Sequence, residues 1–356
     1  MSSSPLILNP GPVKVPAFVL EAIGRTVIHQ RGPEFSSFFG DLQEGLKYFF
    51  QTQNPVVAMP GSGTTGMESA IRSLFQQGQT VLIVCYGKFS RRWAVYARMQ
   101  GILVVEMNEA DGLRPEPSDI LQVALKAGKP LSGIVLTHCE TSTGAFMDIE
   151  GTAFLLRQHF PDTLILVDAI TGAGILPFYS DAWDVDIAVA ASQKSLLNPA
   201  GTVFISVSQS AAAHLDNTIT EDAFDLSPYY YSALKNEYPF TPPTQMFFGI
   251  LAALQRIQSE TLPIVWNRSH SLARFFRAGL VDAGYEIFPV HSSDSLTAFS
   301  RRNVNMEAVA ETLKNDFNIE VAGGQGTLKG KILRVAHFGD IGIQDMKICL
   351  DALKSI

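Results

Sequence analysis

The stretch VDIAVAASQKSLLNPAG, residues 185–201, places a lysine directly after an apolar run and shortly before an Asn-Pro-Ala-Gly turn. The run is apolar at successive positions, which predicts a strand buried on both faces. Lys194 at the end of such a strand needs an explanation, because an ammonium group is poorly solvated there. The stretch therefore predicts a buried strand of a parallel sheet and raises the question of what role its lysine has.

Six further runs have the same character and are bounded by Gly, Pro or polar residues. Segments with helical spacing lie between several of them, at residues 63–78, 89–101 and 117–130. This alternation predicts an α/β fold with a large, mostly parallel seven-stranded sheet. The six runs are PVVAMPG (55–61), TVLIVCYG (80–87), GILVVEM (101–107), SGIVLTHCE (132–140), TLILVDA (163–169) and GTVFISVS (201–208).

The pattern changes in the last third of the chain. Residues 244–284 have helical spacing over a long span that is broken near Pro263. We expect a large cofactor-binding domain over residues 16–250 and a smaller α+β domain formed by residues 1–15 and 251–356. Helix, strand and helix patterns make up the end of the smaller domain, at 305–317, 331–339 and 344–356.

Composition limits the partners and the compartment. The chain has 356 residues, a formal net charge of −7 and no basic cluster, which argues against nucleic acid or an anionic membrane as the main partner. Cys85, Cys139 and Cys349 are far apart and odd in number, so we expect no disulfide framework and a cytoplasmic location. The first residues have neither a basic start nor a long apolar run, and we expect no signal peptide and no membrane anchor.

Polar residues follow the strand patterns at four places, and open α/β sheets bind ligands at the carboxyl ends of their strands. Residues 60–70, PGSGTTGMESA, form a Gly/Ser/Thr loop that leads into a helix, whose free N–H groups attract an anion. Asp168 ends one run, Lys194 ends the next, and Arg334 lies in the predicted second domain. Taken singly, each has an ordinary explanation as a turn, a capping carboxylate, a lysine that reaches solvent or a surface arginine.

Together the four features match the needs of pyridoxal 5′-phosphate (PLP) acting on an amino acid. The loop binds the phosphate, and Asp168 keeps the ring nitrogen protonated. The amine of Lys194 condenses with the aldehyde. Arg334 offers two parallel hydrogen bonds to the substrate carboxylate. A lysine bound to an anionic cofactor is no longer a lone ammonium group, which explains its position.

Motifs in order along nearly the whole chain resemble the class V aminotransferases, which are fold-type I PLP enzymes, and among them the alanine–glyoxylate and serine–pyruvate aminotransferase group. The resemblance implies a homodimer with active sites at the subunit interface. It also implies transfer of an amino group from a small L-amino acid, alanine or serine, to a 2-oxo acid, glyoxylate or pyruvate. The motifs are NPGPVKVP (9–16), HQRGPEF (29–35), SGTTGMESA (62–70), YGKFSRRW (86–93), THCETSTG (137–144), VDAITGAG (167–174), ASQKSLLNPAG (191–201), YPFTPPTQ (238–245) and GGQGTLKGKILRVAHFGD (323–340).

The same resemblance assigns roles to site residues. It makes Lys194 the Schiff-base lysine and places Asp168 under the ring nitrogen. Arg334 falls on the carboxylate-binding position, and Gly11 lies in the Gly-Pro segment that lines the substrate site. The resemblance further places Ser62, Gly63, Thr64 and Gln193 at the phosphate, Phe89 and Ile170 at the two ring faces, and Thr141 at the ring hydroxyl. It implies that Tyr238 and Thr241 reach across the dimer to the phosphate of the neighbouring subunit.

Departures from the family pattern are small. Ser90 stands where glycine is common, and we expect a slight shift of that loop. Residues 335–338, Val-Ala-His-Phe, replace the usual Ile-Gly-His-Met and leave Arg334 intact.

Several alternatives stay open at this point. Aspartate, phosphoserine or aminoethylphosphonate are other possible amino donors, and aspartate needs a second cation, for which His29, Arg31 and Arg91 are candidates. A PLP lyase or hydrolase is a further alternative. A cysteine desulfurase is disfavoured, because no cysteine lies between Cys139 and Cys349. A non-catalytic subunit resembling those labelled soluble hydrogenase subunits is the alternative from another class, and the intact catalytic set argues against it.

Overall fold

The computed structural model describes residues 4–215 and 222–356, and all elements named below belong to those residues. Its strands are β1 (Leu6–Ile7), β2 (Val56–Gly61), β3 (Thr80–Cys85), β4 (Leu103–Asn108), β5 (Leu131–Thr137), β6 (Cys139–Glu140), β7 (Ala145–Phe146), β8 (Leu164–Asp168), β9 (Ile187–Ala191), β10 (Gly201–Val207), β11 (Glu286–Ile287), β12 (Leu296–Ser300), β13 (Ile319–Glu320), β14 (Ala322–Gly323) and β15 (Leu333–Ala336). Its α-helices are α1 (Ala17–Ile23), α2 (Pro33–Phe50), α3 (Gly63–Leu74), α4 (Lys88–Met99), α5 (Pro117–Leu125), α6 (Ile149–His159), α7 (Gln209–Ala212), α8 (Leu226–Ala233), α9 (Thr244–Glu260), α10 (Leu262–Asp282), α11 (Met306–Phe317) and α12 (Ile343–Ser355).

The large sheet has seven strands in the order β2-β10-β9-β8-β5-β3-β4. Strands β9, β8, β5, β3 and β4 run parallel, and β10 runs antiparallel to both of its neighbours. Every residue of β3, β8 and β9 is buried, because helices cover both faces, and this is why the runs do not alternate. The predicted α/β fold with a mostly parallel seven-stranded sheet is confirmed.

Helix α2 is a long element that the patterns above did not predict. Pro33 occupies its first turn, where the missing N–H group has no intrahelical acceptor to lose. Its buried residues, among them Phe35, Phe39, Leu42 and Leu46, lie three or four positions apart and join the core of the large sheet. Within the described residues, no helix has the length and apolar character needed to cross a membrane.

A smaller four-stranded antiparallel sheet has the order β11-β12-β15-β14 and a core of its own. The N-terminal segment joins this part, since β1 pairs in parallel with β13. Helix α9 instead contributes Phe247, Ile250 and Leu254 to the core of the large sheet. The domain bounds of residues 15 and 250 stay a prediction, and residues 1–3 of the predicted small domain lie outside the described residues.

Candidate active site

Lys194 and Asp168 meet at one edge of the large sheet. Asp168 is the last residue of β8, and Lys194 follows the end of β9 at Ala191 by three residues. Strands β8 and β9 are parallel neighbours, with Asp168 opposite Val189. Because the carboxyl ends of parallel strands lie at the same edge, the two side chains reach a common space.

An inner pocket of about 190 Å³ opens at this edge. Its walls come from the β2–α3 loop, the first turn of α4 and the segments that follow β8 and β9. The residues predicted to contact the cofactor from within one chain all line it. They are Ser62, Gly63, Thr64, Phe89, Thr141, Asp168, Ile170, Gln193 and Lys194.

An outer pocket of about 380 Å³ adjoins the inner one and contains Arg334. The guanidinium donates from Nε and Nη2 to the carbonyl of Gly323, at 3.1 and 2.7 Å, and from Nη1 to the carbonyl of Thr141, at 2.8 Å. Two main-chain carbonyls thus orient it, and part of its donor capacity stays available for a carboxylate. Burial lowers the pKa of Arg334 to about 10, so it is charged at neutral pH. The residues shared by both pockets are Gly11, Phe89, Thr141 and Lys194.

Lys194 is only 8% exposed, and its Nζ donates to the carbonyl of Pro10. Burial, and to a smaller extent the positive charge of Arg334, lower the pKa of Lys194 to about 8. Gly11 has a φ of +97°, and a Cβ there would lie 2.6 Å from Nζ, so glycine lets the N-terminal segment close over the lysine. A lysine with this pKa has a substantial neutral amine fraction near pH 8, as a nucleophile and a base require.

Asp168 is a buried carboxylate with few partners. It accepts the backbone N–H of Ile170 at 3.1 Å and the indole N–H of Trp93 at 3.5 Å. Burial raises the pKa of Asp168 to about 6, because the charged carboxylate is poorly solvated there. A cationic N–H group in the inner pocket would supply the missing partner.

The β2–α3 loop provides the anion site. Ser62 is the N-cap of α3, and the N–H groups of the first turn, which include Gly63 and Thr64, have no intrahelical acceptor. Arg92 adds positive charge, since its Nη1 lies 3.5 Å from Thr64 Oγ1. A Cβ on Gly63 would lie 2.3 Å from Cδ1 of Ile170, so the close approach requires glycine.

The residues that line the inner pocket fit PLP. The pocket combines an anion site, an aromatic side chain, a carboxylate and an amine of lowered pKa. Gln193 adds a buried Oε1 that has no hydrogen-bond partner among the described residues, and a ligand can satisfy this polar atom. The set corresponds to the phosphate, ring and aldehyde of the predicted cofactor.

Tyr238 and Thr241 do not line either pocket. The side chain of Tyr238 is 2% exposed and packs edge-on against Phe39, Tyr229 and Phe247. Its hydroxyl is buried and has no partner within the part of the chain that the structure describes. Thr241 is exposed. Their role towards a neighbouring subunit stays a prediction.

The three candidates for a second substrate cation lie elsewhere. Arg91 pairs with Asp111, with 2.8 Å between Nη1 and Oδ1. Arg31 donates to the carbonyls of Tyr238 and Pro239, at 3.3 and 3.4 Å. His29 is exposed and, like the two arginines, is absent from the residues that line the two pockets.

Several residues in or beside the pockets received no role from the sequence. Arg92, Cys139 and Thr171 line the inner pocket, and Trp93 and Glu140 lie behind its wall. Arg92, Trp93, Cys139 and Glu140 belong to the YGKFSRRW and THCETSTG motifs, so the motifs contained them. Their function depends on contacts between distant positions, such as the 75 residues that separate Trp93 from Asp168, which spacing does not disclose.

The buried lysine predicts a pH dependence of stability for the cofactor-free protein. The pKa of Lys194 is about 8 when folded against 10.5 ordinarily, so the folded state binds this proton less tightly than the unfolded chain does. Its contribution to the free energy of unfolding therefore increases by about 3 kcal/mol as the pH rises from 8 to 10.5. Asp168, with its pKa raised from 3.8 to about 6, loses stabilisation as the pH rises from 3.8 to 6.

Lys194→Met isolates the contribution of the lysine to this pH dependence of stability. We expect the parent to gain about 3 kcal/mol of unfolding free energy relative to the variant between pH 8 and pH 10.5. Urea titrations of both cofactor-free proteins across this range measure the difference. A difference that does not change with pH contradicts the desolvated state of the lysine.

Comparison with known proteins places this geometry in context. The family described as Aminotransferase class-V matches residues 17–338. The chain is 33% identical over 360 residues to "Soluble hydrogenase, small subunit" of Synechococcus sp., covering 100% of this chain and 94% of that protein. It is 30% identical over 351 residues to L-aspartate–glyoxylate aminotransferase of Paracoccus denitrificans, covering 96% and 88% of the two chains. Among solved structures, alanine–glyoxylate aminotransferase from Nostoc sp. superposes with a TM-score of 0.91 at 31% identity, covering 100% of this chain and 96% of that one.

Proposed function

Since the chain belongs to the class V aminotransferase family, we propose that it transfers an amino group from a small L-amino acid, alanine or serine, to glyoxylate or pyruvate. Family membership makes it a PLP-dependent transaminase. The observation that carries the choice of a small donor is the lining of the outer pocket. The cationic side chains in that lining are Lys194 and Arg334, and Arg334 can bind one carboxylate.

The chain's own residues divide the work of the reaction. Bound PLP supplies an aldehyde that condenses with amines and a ring that accepts electrons. Arg334 binds the carboxylate of the amino acid and thereby points its Cα towards Lys194. The neutral amine of Lys194 takes the proton from Cα, which its lowered pKa favours. Asp168 would hold the proton of the ring nitrogen, and Phe89 and Ile170, which line the same pocket, would exclude water from the ring.

The similar proteins differ in the donor that their names give. One name specifies alanine and another aspartate, and both specify glyoxylate. An aspartate donor carries a second carboxylate, which needs a second cation when it is buried. His29, Arg31 and Arg91 lie outside the outer pocket, and this favours a donor with a small uncharged side chain. The same argument disfavours phosphoserine and aminoethylphosphonate.

The alternative of a non-catalytic subunit has weaker support. The similarity to a protein named as a soluble hydrogenase subunit covers the whole chain, yet the chain keeps Asp168, Lys194 and Arg334 together at one site. Among the residues that the structure describes, no group of three or more His, Cys, Asp or Glu is arranged to hold a metal ion. The arrangement of the three residues supports active PLP chemistry.

We further propose that the protein acts as a homodimer. In this proposal Thr241, which is exposed, contributes to the active site of the neighbouring subunit. Tyr238 belongs to the same segment, but its hydroxyl has to leave the aromatic cluster around Phe39 to reach a partner's phosphate.

A half-reaction screen tests the proposed donor. Each amino acid is mixed with the PLP form, and conversion to the pyridoxamine form is followed by absorbance. We expect L-alanine and L-serine to react with a kcat/KM at least ~100-fold above that of L-aspartate, because the second carboxylate lacks a partner. D-alanine is the matched control and should not react. Equal or faster conversion by aspartate contradicts the proposal.

A further inference from the structure

Glu140 carries a buried carboxylate to which the reaction above gives no role. It is fully buried at the end of β6, beside the inner pocket. Its oxygens accept the backbone N–H of Ser90 at 2.8 Å and that of Phe89 at 3.1 and 3.2 Å. They also accept the N–H and the hydroxyl of Ser142, at 3.1 and 2.6 Å.

These contacts cap helix α4 from another part of the chain. Lys88, Phe89 and Ser90 form the first turn of α4, whose N–H groups have no acceptor within the helix. Glu140 satisfies two of them, and Ser142 Oγ accepts that of Lys88 at 3.0 Å. A carboxylate at this end is also favoured by the helix dipole. The cap fixes the helix start, and with it the position of the Phe89 ring.

Thr141, the residue that follows Glu140, contacts the arginine on the substrate side of the site. The carbonyl of Thr141 accepts the 2.8 Å hydrogen bond from Nη1 of Arg334, and its hydroxyl donates to Thr171 Oγ1 at 2.7 Å. Residues 140 and 141 therefore contact the aromatic wall of the inner pocket and the arginine of the outer pocket. A shift of Glu140 is therefore expected to move both the Phe89 wall and Arg334.

We propose that Glu140 is a positioning residue that ties the Phe89 wall of the cofactor pocket to Arg334 of the substrate pocket. This inference rests on the roles of Phe89 and Arg334 in the proposed function. Gly87 supports it, because a Cβ at that position would lie 2.2 Å from Cγ of Glu140, so the helix start and the carboxylate are in close contact. Ser90 also stabilises the start of α4, since its hydroxyl accepts the N–H groups of Tyr86 and Gly87, each at 3.0 Å.

Glu140→Gln tests this link. The amide nitrogen that replaces one oxygen cannot accept an N–H. At the Oε2 position it leaves the N–H of Ser90 without its acceptor, and at the Oε1 position it leaves the N–H of Ser142 without its acceptor. In either case the N–H of Phe89 keeps only one of its two acceptor oxygens. We expect the dissociation constant of PLP, measured on the holoenzyme by dilution and ultrafiltration, to increase ~10- to 100-fold. We also expect the KM of the amino donor to increase ~10-fold, because Thr141 and Arg334 shift together.

Glu150→Gln is the matched control. Glu150 also lies in the first turn of a helix, α6, but it is exposed, so the same charge change should leave both constants within about twofold of the parent. A Glu140→Gln protein that folds and keeps the parental dissociation constant of PLP overturns the proposal. So does a weakened PLP affinity with an unchanged KM, since that result describes a cap without a link to Arg334.

Ser142→Ala keeps the proposal testable if Glu140→Gln does not fold. This variant removes one donor to the carboxylate and the acceptor for Lys88, so both constants should increase by a smaller factor, about threefold to tenfold. Unchanged constants overturn the proposal. The dissociation constant of PLP is measured in the absence of any amino acid. A parent protein that binds PLP but does not react with alanine or serine therefore contradicts only the proposed donor.

Discussion

Lys194→Ala is expected to abolish amino-group transfer, with kcat reduced at least ~10⁴-fold. In the proposed mechanism the variant loses both the amine that would bond to the cofactor and the base that would remove the Cα proton. Burial and the charge of Arg334, which lower the pKa of this lysine to about 8, have no equivalent at an exposed lysine. Steady-state kinetics with the best donor of the screen, together with the visible absorption band of bound PLP, measure both losses.

Lys88→Ala is a suitable control for that experiment. Lys88 lies close to the site, at the start of α4, but it is exposed and absent from the residues that line the two pockets. Its truncation should keep kcat within about twofold of the parent. A Lys194→Ala protein that turns over at a rate near that of Lys88→Ala would refute the assignment of the catalytic lysine.

The sequence predicted the large sheet well, for a physical reason. Strands buried on both faces lack polar alternation, and the seven apolar runs mark β2, β3, β4, β5, β8, β9 and β10, although the edge strand β4 is mostly only partly buried. The parallel arrangement of β8 and β9 then brings Asp168 and Lys194 to one edge. Helix α2 was missed although Pro33 and its apolar spacing indicated it. Two-residue strands such as β1 and β13 have no local pattern, because each exists only through its partner.

The residues of the site likewise divide into those that the sequence could predict and those that it could not. Residues at strand ends and in the glycine loop were predictable, because their chemistry follows from residue type and position. Glu140 was not, since its role lies in hydrogen bonds to backbone atoms 50 residues away. The role of Tyr238 towards a neighbouring subunit stays a prediction, because a motif does not tell which way its tyrosine points.

Asp168→Asn is expected to reduce kcat about 10²- to 10³-fold while the variant still binds PLP. The amide keeps the size of the side chain and one acceptor for the N–H groups of Ile170 or Trp93, so the pocket is preserved. In the proposed mechanism the variant loses the negative charge that would hold a proton on the ring nitrogen, and with it the stabilisation of negative charge at Cα. Single-turnover measurements with alanine, made beside the PLP dissociation constant, separate the chemical step from cofactor binding.

Asp186→Asn distinguishes this effect from the general loss of a buried carboxylate. Asp186 is 2% exposed and accepts the N–H of Ile165 at 2.8 Å, but it precedes β9, at the opposite end of the strand from Lys194. Its substitution breaks the ion pair with Arg157, so the free energy of unfolding should fall by about 3 kcal/mol while kcat changes little. If Asp168→Asn behaves in the same way, with lowered stability and parental kcat, the charge at position 168 acts on folding and not on the ring nitrogen.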